Sequence, residues 1–116
     1  MPLAVLCATD RDGLSAENAF VLRDIVLAAT PLDYQFLPGS FLAFFAGDEE
    51  GRGQAARLAD DIKYRFAARG VASFETVIEV GPCQVVQDGR GHFAVPPSGE
   101  TVRRAMRAAI VGTEHA

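Results

Sequence analysis

Tryptophan is absent from this 116-residue chain, tyrosine and histidine occur twice each, and lysine only once, as Lys63. No uninterrupted apolar run approaches the roughly 18 residues a bilayer-spanning helix needs, so no membrane association is expected. Two cysteines, Cys7 and Cys83, are too few for a disulfide framework. Both sit in or beside apolar runs and read as buried thiols in a reducing, cytoplasmic compartment. The opening Met1-Pro2-Leu3-Ala4-Val5 lacks a basic segment and reads as a strand, not a signal peptide.

Basic charge is also in deficit, with 11 Lys plus Arg against 15 Asp plus Glu and a formal net charge of −4. That balance argues against a general nucleic-acid surface, and no aromatic platform pattern accompanies the local basic cluster. There is no Walker A loop, nucleophile elbow, zinc-ligand spacing or dinucleotide fingerprint, so no catalytic residue and no cofactor is assigned. What the chain does have is apolar content, 49% of its residues. That excludes a disordered chain and, at this length, supports a single domain over residues 1–116.

The pattern of apolar residues predicts the elements. Leu3 to Ala8 is a short apolar run suited to a central strand, broken by Thr9-Asp10-Arg11-Asp12-Gly13. Ser15 reads as the N-cap of a helix whose stripe is Leu22, Ile25, Val26 and Ala29, stopped by Thr30-Pro31. Strands at Asp33 to Leu37 and Phe41 to Ala46 flank Pro38-Gly39-Ser40 and should pair as an antiparallel hairpin. Asp48-Glu49-Glu50 precedes a helix through Ala55 to Ala68, with Leu58, Ile62 and Phe66 one turn apart and Arg69-Gly70 at its end. Phe74 to Val80 is a strand ended by Gly81-Pro82. Cys83 to Val86 and His92 to Val95 flank the turn Asp88-Gly89-Arg90-Gly91 as a second hairpin. Pro96-Pro97-Ser98-Gly99 leads to a last helix, Glu100 to Ile110, and the final residues from Gly112 to Ala116 are expected to fray.

This order predicts an α+β fold, a ferredoxin-like βαββαβ core with an added hairpin and C-terminal helix. Two helices should cover one sheet face. Phe36, Phe44 and Phe74 are expected to line the other, leaving the third helix or a second copy of the chain to cover it.

Few residues carry candidate chemistry. Asp10 and Asp12, beside Gly13 at a strand end, are two carboxylates of the kind that hold Mg²⁺ next to a phosphate, or else solvated turn residues. Arg103 and Arg107, four apart on one helix face with Arg104 alongside, suit a phosphate clamp or a solvated face balanced by Glu100. His92 and Cys83 have no partner close in sequence that would activate them.

Four pieces, in chain order, resemble the class III adenylate/guanylate cyclase catalytic domain. Ala4 to Ser15, AVLCATDRDGLS, is similar to the opening strand and turn of that family. Asp10 falls in the first metal-ligand place, Gly13 and Leu14 in the glycine and hydrophobic places, and Ser15 in the hydroxyl place. Leu37 to Phe45, LPGSFLAFF, resembles the glycine-aspartate-glycine hairpin and its strand, with Gly39 where the second metal-binding aspartate would stand. Gln35 falls near the base-reading lysine place of adenylate-specific members. Val77 to Val86, VIEVGPCQVV, looks like the strand and turn before the dimerisation hairpin. Gly99 to Ala108, GETVRRAMRA, resembles the helix bearing the transition-state asparagine and arginine, with Arg103 in the asparagine place and Arg107 matching the arginine.

The resemblance implies a dimeric scaffold whose activity depends on two metal-binding aspartates and an asparagine, and here only Asp10 remains of the three. One carboxylate cannot organise two metals. The expectation is a catalytically degenerate cyclase-homology domain, a homodimer serving regulation or interaction with a protein partner. Asp10, Arg103 and Arg107 would be the remnant of a nucleotide- or anion-binding cleft, with Asp10 its metal ligand. Two alternatives stand beside it. One is a small ferredoxin-like enzyme or ligand-binding protein using Cys83, His92 or Asp10 in a dimer-interface cleft. The other is a cyclase whose second metal ligand is Asp33 or Asp48.

Overall fold

The computed structural model describes residues 1–37, 39–71, 74–87, 89–97 and 99–115, with residues 112–115 as backbone alone. Pro38, Asp88, Ser98 and Ala116, read from the sequence as turn and tail residues, lie outside the described set. The elements are β1 (Pro2–Asp10), α1 (Ala16–Ala28), β2 (Asp33–Leu37), β3 (Ser40–Ala46), α2 (Glu49–Ala68), β4 (Phe74–Pro82), β5 (Val86–Gln87), β6 (Phe93–Ala94) and α3 (Glu100–His115).

β1 to β4 form one antiparallel sheet in the order β2-β3-β1-β4, the ferredoxin-like arrangement. β1 is central, pairing with β3 on one side and β4 on the other. Its residues from Leu3 to Asp10 are all buried, which is why it reads as an unbroken apolar run and not as an alternation. Alternation still divides its side chains. Ala4, Leu6 and Ala8 face a core built with Leu22, Ile25 and Val26 of α1 and Leu58, Ile62 and Phe66 of α2. Leu3, Val5 and Cys7 face a second core built with Val102, Ala105 and Ala109 of α3. The third helix therefore supplies the cover for the second face within the same chain. Each fully buried Leu, Ile or Phe in these cores contributes about 1.5–3 kcal/mol relative to exposure.

The helix starts follow the sequence signals. Ser15 Oγ accepts the Asn18 N–H at 3.1 Å, and Asp48 Oδ1 accepts the Gly51 N–H at 2.7 Å, each capping its helix. α2 begins at Glu49, a turn and a half ahead of the apolar residues that announced it, because Asp48 provides the cap.

Four expectations are corrected. Of the three phenylalanines assigned to the second face, only Phe44 is there. Phe74 lies opposite Asp10 and stacks on Phe66 of α2, ring centroids 4.4 Å apart. Phe36 pairs with Phe41, which puts it on the α1/α2 side at the exposed edge. β4 also continues through Gly81 and Pro82, since an edge strand tolerates a terminal proline that donates to no neighbour. Among the described residues the second hairpin keeps two rungs, Val86↔Ala94 and Gln87↔Phe93, and pairs with no other strand. Finally, α3 remains helical through His115 instead of fraying from Gly112.

Candidate functional site

Asp10 ends β1, where the strand turns into the loop leading to α1. The Gly13 N–H donates to the Asp10 carbonyl at 3.1 Å, and Gly13 takes φ +83°, a left-handed value that glycine adopts without penalty. The Asp12 N–H donates to Asp10 Oδ1 at 3.0 Å, the Asx-type closure expected of an aspartate two residues earlier. Continuing the β1 alternation, Asp10 points to the α1/α2 side and is only 7% exposed. There it lines a polar cleft of about 340 Å³ with Arg11, Asp12, Gly13, Asn18, Gly70 and Val71. Asn18 comes from the first turn of α1, and Gly70 and Val71 from the exit of α2. Arg69 at that exit and Glu17 of α1 form an ion pair at 3.1 Å, joining the two helices.

On the β3 side, the end of β1 meets hydroxyls and not carboxylates; on the β4 side, Phe74 lies opposite Asp10 and Glu75 opposite Thr9. Thr9 pairs with Ser40, their hydroxyl oxygens 3.2 Å apart, and Gly39 precedes Ser40 at the hairpin tip with φ +74°. The two other candidate aspartates are remote. Asp33 lies opposite Phe44, which faces Val5, five residues and roughly 16 Å along β1 from Asp10. Asp48 follows β3 at its other end and is occupied as the α2 cap. Among the described residues no group of three or more His, Cys, Asp or Glu side chains is arranged to hold a metal. This donor set does not fit a pair of divalent cations.

Arg103 and Arg107 are exposed on α3, across the sheet from Asp10. The start of α3 is tied by Thr101 Oγ1 to the Pro82 carbonyl at 2.8 Å, at the Pro2 end of β1. Arg103 therefore starts near one end of a strand roughly 26 Å long and Asp10 closes the other. Arg104, between them in sequence, reaches Glu79 of β4 at 3.9 Å. One copy of the chain does not bring Asp10 together with either arginine.

Gln35, on the α3 side of β2, donates to the Val95 carbonyl, and the Asp33 carboxylate accepts the Val95 N–H at 3.0 Å. Cys83 is 7% exposed, its thiol against the Gly81 carbonyl at 3.8 Å. Burial raises the pKa of Cys83, opposed by a Thr101 hydrogen bond and the positive charges of the terminal amine and Arg104. Cys7 is raised for the same reason, opposed by its bond to Thr9. Both thiols stay protonated at neutral pH, the reverse of what a nucleophile needs. His92 is exposed, and the apolar hollow of about 40 Å³ near the hairpin is lined by Met1, Leu3, Leu32, Val85, Phe93 and Val95 without Cys83 or His92.

Sequence reasoning singled out Asp10, Asp12 and Gly13 but not Asn18, Gly70 or Val71. Gly70 was legible only as a helix stop. Nothing local marks Asp33 and Gln35 as partners of a residue 60 or more positions away.

This fold is that of the catalytic domains of class III adenylyl and guanylyl cyclases. The catalytic core of a rhodopsin-guanylyl cyclase with converted specificity, in complex with ATPαS, matches over 94% of this chain and 71% of its own, with TM-score 0.67 and 15% identity. The adenylyl cyclase CyaB from P. aeruginosa matches over 95% and 71%, with TM-score 0.62 and 18% identity. The guanylyl cyclase Cya2 matches over 96% and 70%, with TM-score 0.59 and 16% identity. No protein-family model matches the sequence, and neither does any curated protein.

Proposed function

We propose that the chain is a single cyclase-homology domain that has lost catalysis and serves as a regulatory or protein-interaction module. The observation that carries this reading is Gly39. Near Asp10, the β2–β3 hairpin supplies a glycine and a paired hydroxyl where two-metal chemistry requires a second carboxylate. Nearly all of this chain superposes on cyclase structures, over 70–71% of their own length, which supports a retained core of that scaffold.

The polar cleft at Asp10 is the place for residual nucleotide or anion binding. Arg103 and Arg107 would join it only from a second copy, because within one chain they stand across the sheet from Asp10. A homodimer is therefore part of the proposal, with the reducing cytoplasm as its setting. No helix among the described residues is long and apolar enough to cross a membrane.

Calorimetric titration with ATP and GTP in the presence of Mg²⁺ tests the cleft. Millimolar or tighter binding that weakens with Arg107→Ala supports it, and a flat trace removes it. Cyclic nucleotide production with Mn²⁺ tests the loss of catalysis. Product above background that disappears in Asp10→Ala would overturn the degenerate reading. Light scattering at high concentration tests the dimer, and a monomer throughout sinks it.

A further inference from the structure

α1 and α2 cover the same face of the sheet, yet their outward sides differ. Of the 13 residues of α1 only Glu17, Arg23 and Asp24 are charged, against eight of the 20 in α2. The inward side of α1 is filled by Leu22, Ile25 and Val26, all in the core. Its outward side is apolar as well, with Phe20 66% exposed and Leu27 43% exposed. A helix that is apolar all round is normally covered all round.

Phe20 and Leu27 are seven residues apart, so they lie nearly in line, two turns apart along the helix. Arg23 and Asp24 fall between them in height, one on each flank of that line. Both are exposed, and neither has an ion-pair partner among the described residues. Glu17, by contrast, is held by Arg69 of the neighbouring helix exit. From Leu27 the apolar surface continues toward α2 in an open groove of about 710 Å³, with Ile25, Ala28, Ala29 and Leu58 in its lining.

This pattern complements itself. With a two-fold axis running along the helix, two copies of α1 lie parallel, side by side. Phe20 then meets Phe20 of the second copy, Leu27 meets Leu27, and each Arg23 comes beside the other copy's Asp24. A two-fold axis across the helix would run the copies antiparallel and set Arg23 by Arg23 and Asp24 by Asp24. Like charges facing each other disfavour that arrangement, so the charge pattern selects the parallel one.

We propose that the outward side of α1 binds a second copy of this chain, with Phe20 and Leu27 as the apolar seam and Arg23–Asp24 pairs on both flanks. This goes beyond the cleft dimer proposed above, which needs α3. α1 and α3 cover opposite faces of the sheet, so the two contacts are separable by substitution. α1 is roughly 20 Å long, a small patch beside a standard interface, so the dimer forms in the micromolar range or weaker.

Sedimentation velocity on the full chain, from micromolar to millimolar concentration, tests this. The unaltered chain should dimerise reversibly. Phe20→Ser should raise Kd at least tenfold and leave the urea midpoint in place, since this exposed ring holds little in the monomer. Arg23→Glu and Asp24→Arg should each weaken the dimer, because each brings like charges together, and the double exchange Arg23→Glu/Asp24→Arg should restore it. Arg107→Ala, which strikes the cleft and not α1, should leave the association unchanged. A chain monomeric at millimolar concentration overturns the proposal and leaves the α1 patch to a different partner. A dimer indifferent to Phe20→Ser, or one abolished by Arg107→Ala, overturns it in favour of the α3 contact. A double exchange no better than the single ones also overturns it. Should Phe20→Ser not fold, the charge-exchange series decides.

Discussion

The Thr9 and Ser40 hydroxyls meet at 3.2 Å on the last rung shared by β1 and β3, directly beside Asp10 and the Gly39 turn. This pairing places hydroxyl groups, and no carboxylate, on the β3 side of the β1 end. Gly39 has φ +74°, a conformation aspartate adopts more readily than most residues, and an added Cβ there meets nothing within 4 Å. Gly39→Asp should therefore fold and gain affinity for Mn²⁺. At tenfold over its Kd, the metal adds about 1.4 kcal/mol of stability, about 5 °C in Tm for a domain of this size. The neutral Gly39→Asn should show no such shift in a thermal melt with Mn²⁺. Equal behaviour of the two variants would detach Gly39 from the metal argument.

Gly51 and Gly53, two residues apart in α2, should respond in opposite directions to alanine. A Cβ at Gly51 would lie 1.8 Å from the Ala46 carbonyl oxygen, which is backbone and cannot yield cheaply. Gly51→Ala should cost about 2–3 kcal/mol in urea unfolding, through displacement of the α2 start from β3. A Cβ at Gly53 meets only the end of the Arg57 side chain at 3.4 Å. Gly53→Ala should stabilise by about 0.5–1 kcal/mol, the helix-interior difference between the two residues.

Thr30 follows the C-cap Ala29 of α1 with φ +49°, an unfavourable value for a β-branched residue. Helices commonly end with glycine in this conformation. Thr30→Gly should raise stability by about 1 kcal/mol, the approximate cost of the left-handed conformation for an L-residue. An unchanged or lowered midpoint would show that the Thr30 side chain compensates for its backbone.

The two cysteines predict an alkaline decline in stability. Burial holds both folded thiols above the ordinary value of 9.0, so the unfolded chain ionises first. Their contribution is fully present below pH of about 9 and is lost as pH rises through the folded pKa values. Urea midpoints should fall as pH rises above about 9, with a shallower fall in the Cys7→Ala/Cys83→Ala double variant. Identical slopes would exclude the thiols as the cause.

The elements were legible where local chemistry decides. Ser15, Thr30-Pro31 and Arg69-Gly70 bracket helices because caps and breakers act within a few residues. The Leu58, Ile62 and Phe66 spacing marks a buried face because the helix repeat is a local property. The face assignment of Phe74 was not legible, since it depends on which residue of β1 it pairs with. Antiparallel register puts it opposite Asp10, and a shift of one would have turned it to the α3 side.

The same division runs through the site. By itself the sequence determined that Asp10 ends an apolar strand beside a glycine turn with Asp12 two residues on, and that Gly39 stands at the hairpin tip. It also placed Arg103 and Arg107 one helical turn apart. Only the tertiary structure decided that Asp10 faces Asn18, Gly70 and Val71 while both arginines ride the helix on the other face. It alone joined Asp33 and Gln35 to Val95. Strand parity and helix docking are set by packing two cores against one sheet, and pairings between residues 60 or more positions apart leave no trace in local spacing.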